Sequence, residues 1–522
     1  VGYLAHTLTA VLVLFAYEQG LRTELESWLG ALALCSAPYL LLALERALLV
    51  RGVFRVAAVV HTLLVWSGPL AFATAVCACG WPALVERWLG AEHSLNEWPG
   101  AALLASLAPF VLYTALSIDA LARLNEVRGA QIADARAFQL RMFAATLAPF
   151  ALFLGLTWMI GANARLRANV EHTALWSAAL TASLAVIAVL TLPALLRRTW
   201  DTVPLPPGRV RSELEQFARN VRFRCREFLV WRTGHQMSNA AVVGVAPSTR
   251  VVVFSDLLLA QLPLRELLAV LAHEMGHVAC GHVVTFIAWS SALFLGLDLA
   301  LVHFDVQNEI ALGAALAATL ALWWAGFGWL SRRAELEADL FALRSTGDVL
   351  AMVSALELVG GYHARAKSSW RHFSTARRVR FLLDAADDEN VGRRLTQRMK
   401  FASRVGRALC VLALVAQGAR LVESYADDRV RVELALGEYQ RAADFSAAEA
   451  VDERTRRLAQ LALEWPEEER TAATFESEAE RALERDNLQR AVDLLTLLVL
   501  RGDARAEALL GSLEEQLRTG SR

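Results

Sequence analysis

Residues 264–302 read LRELLAVLAHEMGHVACGHVVTFIAWSSALFLGLDLALV, and two patterns meet inside that stretch. Up to Ala279, apolar residues recur at helical spacing beside Arg265 and Glu266, as in a helix that buries one face. From Val283 onward the only charged residue is Asp298. The run 283–303 is long enough to cross a hydrocarbon core, which takes roughly 17–25 mainly apolar residues. A helix of soluble character therefore passes almost directly into one of membrane character. His273, Glu274 and His277 stand just before the junction.

Seven further apolar stretches lie outward from this point, at approximately 1–17, 28–50, 56–79, 99–120, 142–163, 172–196 and 310–330. The first is marginal in length. Glu45 and Arg46 near the end of the second can snorkel to the interface. Trp28, Trp81, Trp98 and Trp329 mark segment edges, where interfacial aromatics sit. The expected fold is mainly α: a polytopic membrane protein with about eight transmembrane helices, a small α+β domain and a helical C-terminal tail.

Arginine in the short loops orients the stack. Arg46, Arg51 and Arg55 share one side with Arg123, Arg128, Arg136 and Arg141, with Arg197 and Arg198, and with Arg332 and Arg333. The opposite loops hold Glu24, Glu26, Glu86, Glu92, Glu97, Asp305 and Glu309; only Arg22, Arg87, Arg165 and Arg167 break the pattern. The N-terminus is thus expected inside, with 197–282 and 331–400 cytoplasmic. Residues 408–419, ALCVLALVAQGA, are apolar but about half a bilayer long. They are read as a buried or interfacial helix in preference to a ninth span, which would put the tail outside.

Composition narrows the class. Of 522 residues, 56% are hydrophobic and 20% charged, and the net charge of -1 gives no electrostatic case for nucleic acid. Lysine occurs only at Lys367 and Lys400, and the Arg, Ala and Leu excess suggests a GC-rich, bacterial genome. Cys35, Cys77, Cys79, Cys225, Cys280 and Cys410 form no CxxC pair, so no cysteine zinc site is indicated and most read as small hydrophobes. The first segment lacks a basic n-region and does not read as a cleavable signal peptide.

The soluble parts are short. TWDTVPLPPGRV, residues 199–210, is a Pro-rich exit from the sixth span, and a helical pattern follows at 211–224. REFLVWR (226–232) and RVVVF (250–254) read as strands, with SNAAVVG (238–244) a third ending in a Gly turn. Residues 425–522 are rich in Glu, Arg and Ala at helical spacing, with a break at Gly502 and Asp503. They suggest a tetratricopeptide-like hairpin without a clean repeat, or a plain helical tail that binds a partner.

His273-Glu274-Met275-Gly276-His277 is an HExxH sequence. Histidines four apart share one helical face, so two imidazoles can reach one zinc ion. Glu274 beside them can approach a metal-bound water. Zinc lowers the pKa of such a water from about 15.7 to roughly 7. Glu274 then takes the proton and returns it to a leaving amine. Two histidines need a third protein ligand, and SRRAELEADLFA (331–342) follows the eighth span. There Glu335 would be the ligand, and Asp339, four residues on, would hold a ligand imidazole. Glu337 is read as a solvated charge on another face. His282, five residues past His277, is read as no ligand.

HEMGHVACGH followed by SRRAELEADLFA closely resembles the M48 zinc metalloproteases, which include the Ste24 prenyl-protein and HtpX heat-shock proteases. The resemblance implies a zincin-type, gluzincin-like catalytic domain with one Zn2+ per chain. It maps the third zinc ligand onto Glu335 and its accompanying Asp onto Asp339. SNAAVVG is similar to the family's edge strand, which implies that Asn239 and Ala240 lie along the substrate by β-augmentation. WRHFSTARRVRFL (370–382) resembles the family's HPPxxxR segment at His372 and Arg378, with Phe373 and Ser374 in place of two prolines. Arg378 would then orient Glu335 or stabilise an oxyanion, unless it is a structural pair.

The resulting expectation is a six-span region (1–198), a first catalytic part (199–282), a two-span hairpin (283–330), a second catalytic part (331–402), a possible ninth span or interfacial helix (403–424) and the tail (425–522). The expected activity is a zinc metalloendopeptidase acting on membrane or membrane-associated proteins, in a bacterial inner membrane with its site facing the cytoplasm. The alternatives are a prenyl-type processing protease and a non-catalytic membrane adaptor working through the tail.

Overall fold

The computed structural model describes residues 2–18, 25–89, 101–127, 132–161, 163–304, 306, 308–366 and 368–520. Arg22, Glu24, Glu92, Glu97, Trp98, Arg128, Asp305 and Lys367 lie outside them. The chain divides into two units, Val1–Leu154 with Ile187–Leu414, and Gly155–Val186 with Val415–Arg522.

Six helices among the described residues are long and apolar enough to cross a membrane: Trp28–Val50, Phe54–Cys77, Ala102–Asn125, His282–His303, Ala311–Thr346 and Glu389–Ala435. Their outward residues include Val59, Leu112, Ile287, Leu322 and Leu412, large apolar side chains left exposed. That pattern suits lipid as the solvent. Five of the eight expected spans coincide with members of this set. The stretch 1–17 is the 17-residue helix Gly2–Glu18, and 142–163 and 172–196 fall in helices Ile132–Gly161 and Ala174–Thr199. Trp28–Val50 is broken by a 3-10 turn at Leu34–Ser36 before Pro38 opens the next helical segment. Phe72, Phe110, Tyr113 and Phe143 fill the core where five N-terminal helices meet.

The 403–424 stretch departs from expectation. It lies inside one helix of 47 residues, Glu389–Ala435, which meets the length and composition of a span. The uninterrupted apolar run understated it, because Arg404, Arg407 and Arg420 sit only at its margins. Within the first unit, Gly406 lies against the indole of Trp289, whose Nε1–H donates to the Ala402 carbonyl at 3.0 Å.

Within the first unit lies a four-stranded sheet in the order β1-β2-β4-β3, formed by β1 (Thr202–Pro204), β2 (Glu227–Trp231), β3 (Ala240–Val243) and β4 (Val251–Ser255). β2 and β4 are parallel; β1 and β3 pair antiparallel on the outside. The short β1 was not foreseen: three residues ending in proline carry no alternation to detect. Alternate side chains divide the two faces. Phe228, Val252 and Phe254 pack toward helices Arg209–Asn220 and Leu264–Ala279. Leu229, Trp231, Val251 and Val253 pack with Phe138 on the other face. A sheet covered on both faces explains the continuous apolar run of β4.

The HExxH helix, Leu264–Ala279, starts after Pro263 and ends at Cys280. Gly281 then adopts a left-handed conformation, φ 68°, and the helix His282–His303 begins at once. Only glycine takes that conformation without strain. The ExxxD residues lie on the helix Glu309–Thr346, whose 38 residues run unbroken from the stretch expected as the last span. Expectation set a boundary after residue 330; the helix has none there. It starts at Asn308, whose Oδ1 accepts from Ala311 N–H at 2.9 Å. The two motif helices cross at Gly276, where a Cβ would lie 2.9 Å from the Ala338 Cα.

In the second unit, helices Tyr439–Ala448, Glu453–Leu461, Ala472–Glu484, Leu488–Leu500 and Ala504–Gly520 share a core of Leu458, Phe475, Leu494 and Leu498. The break between the last two helices falls at Gly502, as the sequence indicated. The helix Ala164–His172 belongs here too: Arg165 pairs with Glu433 at 3.1 Å, and Asp428 accepts from Ala174 N–H at 2.9 Å.

Candidate metal centre and active site

One helical face carries His273 and His277, and the crossing helix brings Glu335 to them. His273 Nε2 and His277 Nε2 are 3.3 Å apart. Glu335 Oε2 is 3.7 Å from the first and Oε1 is 3.6 Å from the second. A tetrahedral zinc ion with bonds of about 2.0–2.1 Å holds its ligand atoms about 3.4 Å apart. The donor triangle fits such an ion in both chemistry and spacing, and the three residues form a candidate metal-holding group. The small residue at 276 makes this possible, since the helices could not approach as closely over a Cβ.

Asp339 is fully buried, and its Oδ1 lies 2.9 Å from His273 Nδ1. Arg378, on the helix Thr375–Asp387, clamps Asp339 with two hydrogen bonds of 2.8 and 2.6 Å. The same guanidinium approaches Glu335 Oε2 at 3.4 Å, and His372 Nδ1 reaches that oxygen at 3.2 Å. Arg378 therefore serves the two carboxylates. His372 was quoted in the sequence only as a motif match; the distance to Glu335 gives it a partner.

Burial dominates the electrostatics. It pushes the Glu274 carboxyl up to about 7, with Glu335 adding to it and His273 opposing. It drives His277 down to about 3, with His273 adding to it. A neutral imidazole is the form that ligates metals. For His273 burial acts in the same direction, but Asp339 outweighs it and the net shift is upward.

A cavity of about 630 Å³ opens over this centre. Asn239, Ala240, Ala241 and Val242 form one wall, and Val283 and Phe286 of the adjoining membrane helix belong to another. β3 is the sheet's edge, so its outer side is unpaired within the sheet. Asn239 carbonyl accepts from Ser255 N–H at 2.9 Å. By antiparallel alternation, Ala241 and Val243 then face β4, and the backbone groups of Ala240 and Val242 face outward. Every residue singled out for the site lines this cavity except Asp339, which lies behind the ligands.

One reading needs correction. Glu337 is not a solvated charge; it is 6% exposed. It shares a cavity with Thr396, Met399 and Lys400 of the Glu389–Ala435 helix, which the sequence could not place. Its Oε2 lies 3.1 Å from His282 Nε2. His282 is outside the donor triangle, as expected, yet it is not remote. The break at Gly281 returns it to His277, with the two Nδ1 atoms 2.9 Å apart.

Residues 204–386 match the model of peptidase family M48. Over 142 residues the chain is 31% identical to a protease HtpX homologue of Herminiimonas arsenicoxydans, covering 24% of this chain and 48% of that protein. Over 97 residues it is 33% identical to the CAAX prenyl protease 1 homologue of Arabidopsis thaliana, covering 18% of this chain and 22% of that one. The chain thus spans less than half the length of these curated relatives. The crystal structure of S. mikatae Ste24p aligns with 68% of this chain and 99% of its own, at 15% identity and a TM-score of 0.36. The M48 resemblance read from the motifs therefore holds across the segment that builds the site.

Proposed function

We propose that the chain is a membrane-embedded zinc metalloendopeptidase whose site opens at the cytoplasmic boundary of the bilayer. The observation that carries the reading is the triangle of His273, His277 and Glu335 donors beneath a cavity walled by the sheet's edge strand. His273, His277 and Glu335 would hold one zinc ion per chain. Zinc, when bound, supplies Lewis acidity to a water and to the scissile carbonyl. Glu274 accepts the water's proton on its carboxylate and passes it to the leaving amine. The upward shift of that carboxyl suits a group that must both take and give a proton near neutrality. The substrate pairs with the outer edge of β3 through the backbone of Ala240, while the Val242 backbone hydrogen-bonds the Glu274 carboxyl. Asp339 orients His273, and Arg378 keeps both carboxylates charged and in place.

Val283 and Phe286 in the cavity wall support substrates that are membrane proteins or membrane-associated. The arginine-rich loops support the cytoplasmic orientation, and the Arg, Ala and Leu excess supports a bacterial source and hence an inner membrane. The convergence of all the residues needed for chemistry favours the protease over a non-catalytic adaptor.

The test is cleavage of candidate membrane-protein substrates by the purified chain in lipid vesicles. Wild type should cleave, lose activity to a chelator and regain it with Zn2+. Glu274→Gln should keep its zinc and stay inactive throughout. Equal cleavage by all three samples would sink the proposal.

A further inference from the structure

His282 and Glu337 take no part in the proposed chemistry, yet both are nearly inaccessible, at 1% and 6% exposure. They form a chain with a proposed ligand. Glu337 Oε2 is 3.1 Å from His282 Nε2, and His282 Nδ1 is 2.9 Å from His277 Nδ1. Each link restricts the next. A carboxylate only accepts, so His282 must carry its proton on Nε2. The neutral ring then has a lone pair on Nδ1, and His277 must donate to it from its own Nδ1–H. His277 is left with a lone pair on Nε2, the atom aimed at His273 and Glu335. With the other tautomer, a proton on Nε2 would point into the metal position and block it.

We infer that Glu337 and His282 are positioning residues that fix His277 in its metal-binding tautomer and orientation. The inference rests on the zinc reading above. It gives both histidines carboxylate support: His273 meets Asp339 directly, and His277 reaches Glu337 through His282. The device depends on the break at Gly281. On a continuous helix, residues five apart point about 140° away from each other. The restart of the helix at His282 brings its ring back within reach. Cys280 stands close enough to His282 and Glu337 to make a second candidate metal group. However, both nitrogens of His282 are already engaged, and an ion there would displace the Glu337 contact.

The test is Zn2+ affinity, measured by chelator competition on the full-length purified protein, with metal stoichiometry and metal-free melting temperature recorded alongside. His282→Leu and Glu337→Leu should each weaken zinc binding by about 10–100-fold, the usual cost of losing such support. His282→Asn offers an amide oxygen as acceptor for His277, and Glu337→Gln keeps an acceptor for His282; both should recover most of the affinity. Cobalt substituted for zinc should show an altered absorption spectrum in the two Leu variants. Wild-type affinity in His282→Leu overturns the inference. So does a His282→Asn loss as deep as that of Leu, which would mark a packing role. Two ions per chain, with one lost in Cys280→Ala, would overturn it in favour of a second metal site. Failure of the wild type itself to bind zinc would instead sink the underlying reading of the centre.

Discussion

Glu335 and Asp339 sit one helical turn apart, both buried, and their charges repel. Arg378 answers both with one guanidinium, itself only 13% exposed. Removing one member of such a buried set leaves uncompensated charge, at a cost of about 3–5 kcal/mol. Arg378→Ala should therefore lose that much stability in the metal-free protein, read by chemical denaturation in detergent. Arg378→Lys should recover only part of it, because an ammonium cannot make the two parallel bonds to Asp339. An Arg378→Ala protein as stable as wild type would remove the clamp from the account. At this scale the sequence was most legible where function depends on neighbours in one helix. His273 with His277, and Glu335 with Asp339, are each four apart, and helical geometry alone aligns them. Glu337 was misjudged, and the contacts of His282 went unread, because their partners come from across a helix break and from a helix more than fifty residues on.

Two elements set the geometry of the centre. The HExxH helix and the long ExxxD helix meet backbone to backbone at Gly276, with no room for a methyl group. Gly276→Ala should cost about 1–3 kcal/mol through overpacking. It should also weaken zinc binding, because the helices that carry the donors are forced apart. Unchanged melting and unchanged metal retention would show that the crossing can relax. The second element is β3. Its outward N–H groups include that of Ala240, and an edge position facing away from the ladder tolerates proline. Ala240→Pro should leave zinc affinity intact and lower kcat/KM by about tenfold, roughly one hydrogen bond to substrate. Full activity in Ala240→Pro would exclude pairing at that residue. The three longer strands were legible from their β-branched and aromatic residues, but their order was not. β3 follows β2 in sequence and is separated from it in space by β4.

Among the described residues, hydropathy located five of the six helices long and apolar enough to cross a membrane and missed the extent of the sixth. The 47-residue helix was hidden because its charged ends dilute the apolar middle. Arg165 once broke the arginine pattern of the loops, and its pairing with Glu433 now accounts for it. That pair and the Asp428 bond to Ala174 hold the loop between helices Ile132–Gly161 and Ala174–Thr199 against the tail. Loop and tail should therefore lie on the same side of the membrane. Single cysteines at Arg167 and at Arg505, in a background without other reactive thiols, should be modified by an impermeant reagent from the same side. If the arginine-based orientation holds, that side is the outer one, and the helix Glu389–Ala435 crosses the bilayer. Labelling from opposite sides would refute the shared placement.

The unbroken helix Glu309–Thr346 has a consequence for how the candidate metal centre feels its surroundings. Glu335 and Asp339 ride on the same rigid rod as the membrane-spanning residues, while the two histidines hang from a neighbouring rod through the swivel at Gly281. A thinner or thicker bilayer changes the tilt of such rods. Any difference between their tilts is delivered to the distance between Glu335 and the imidazoles. Acyl-chain length thereby becomes a variable of the donor triangle, and vesicles of graded lipid length should shift zinc retention and turnover together.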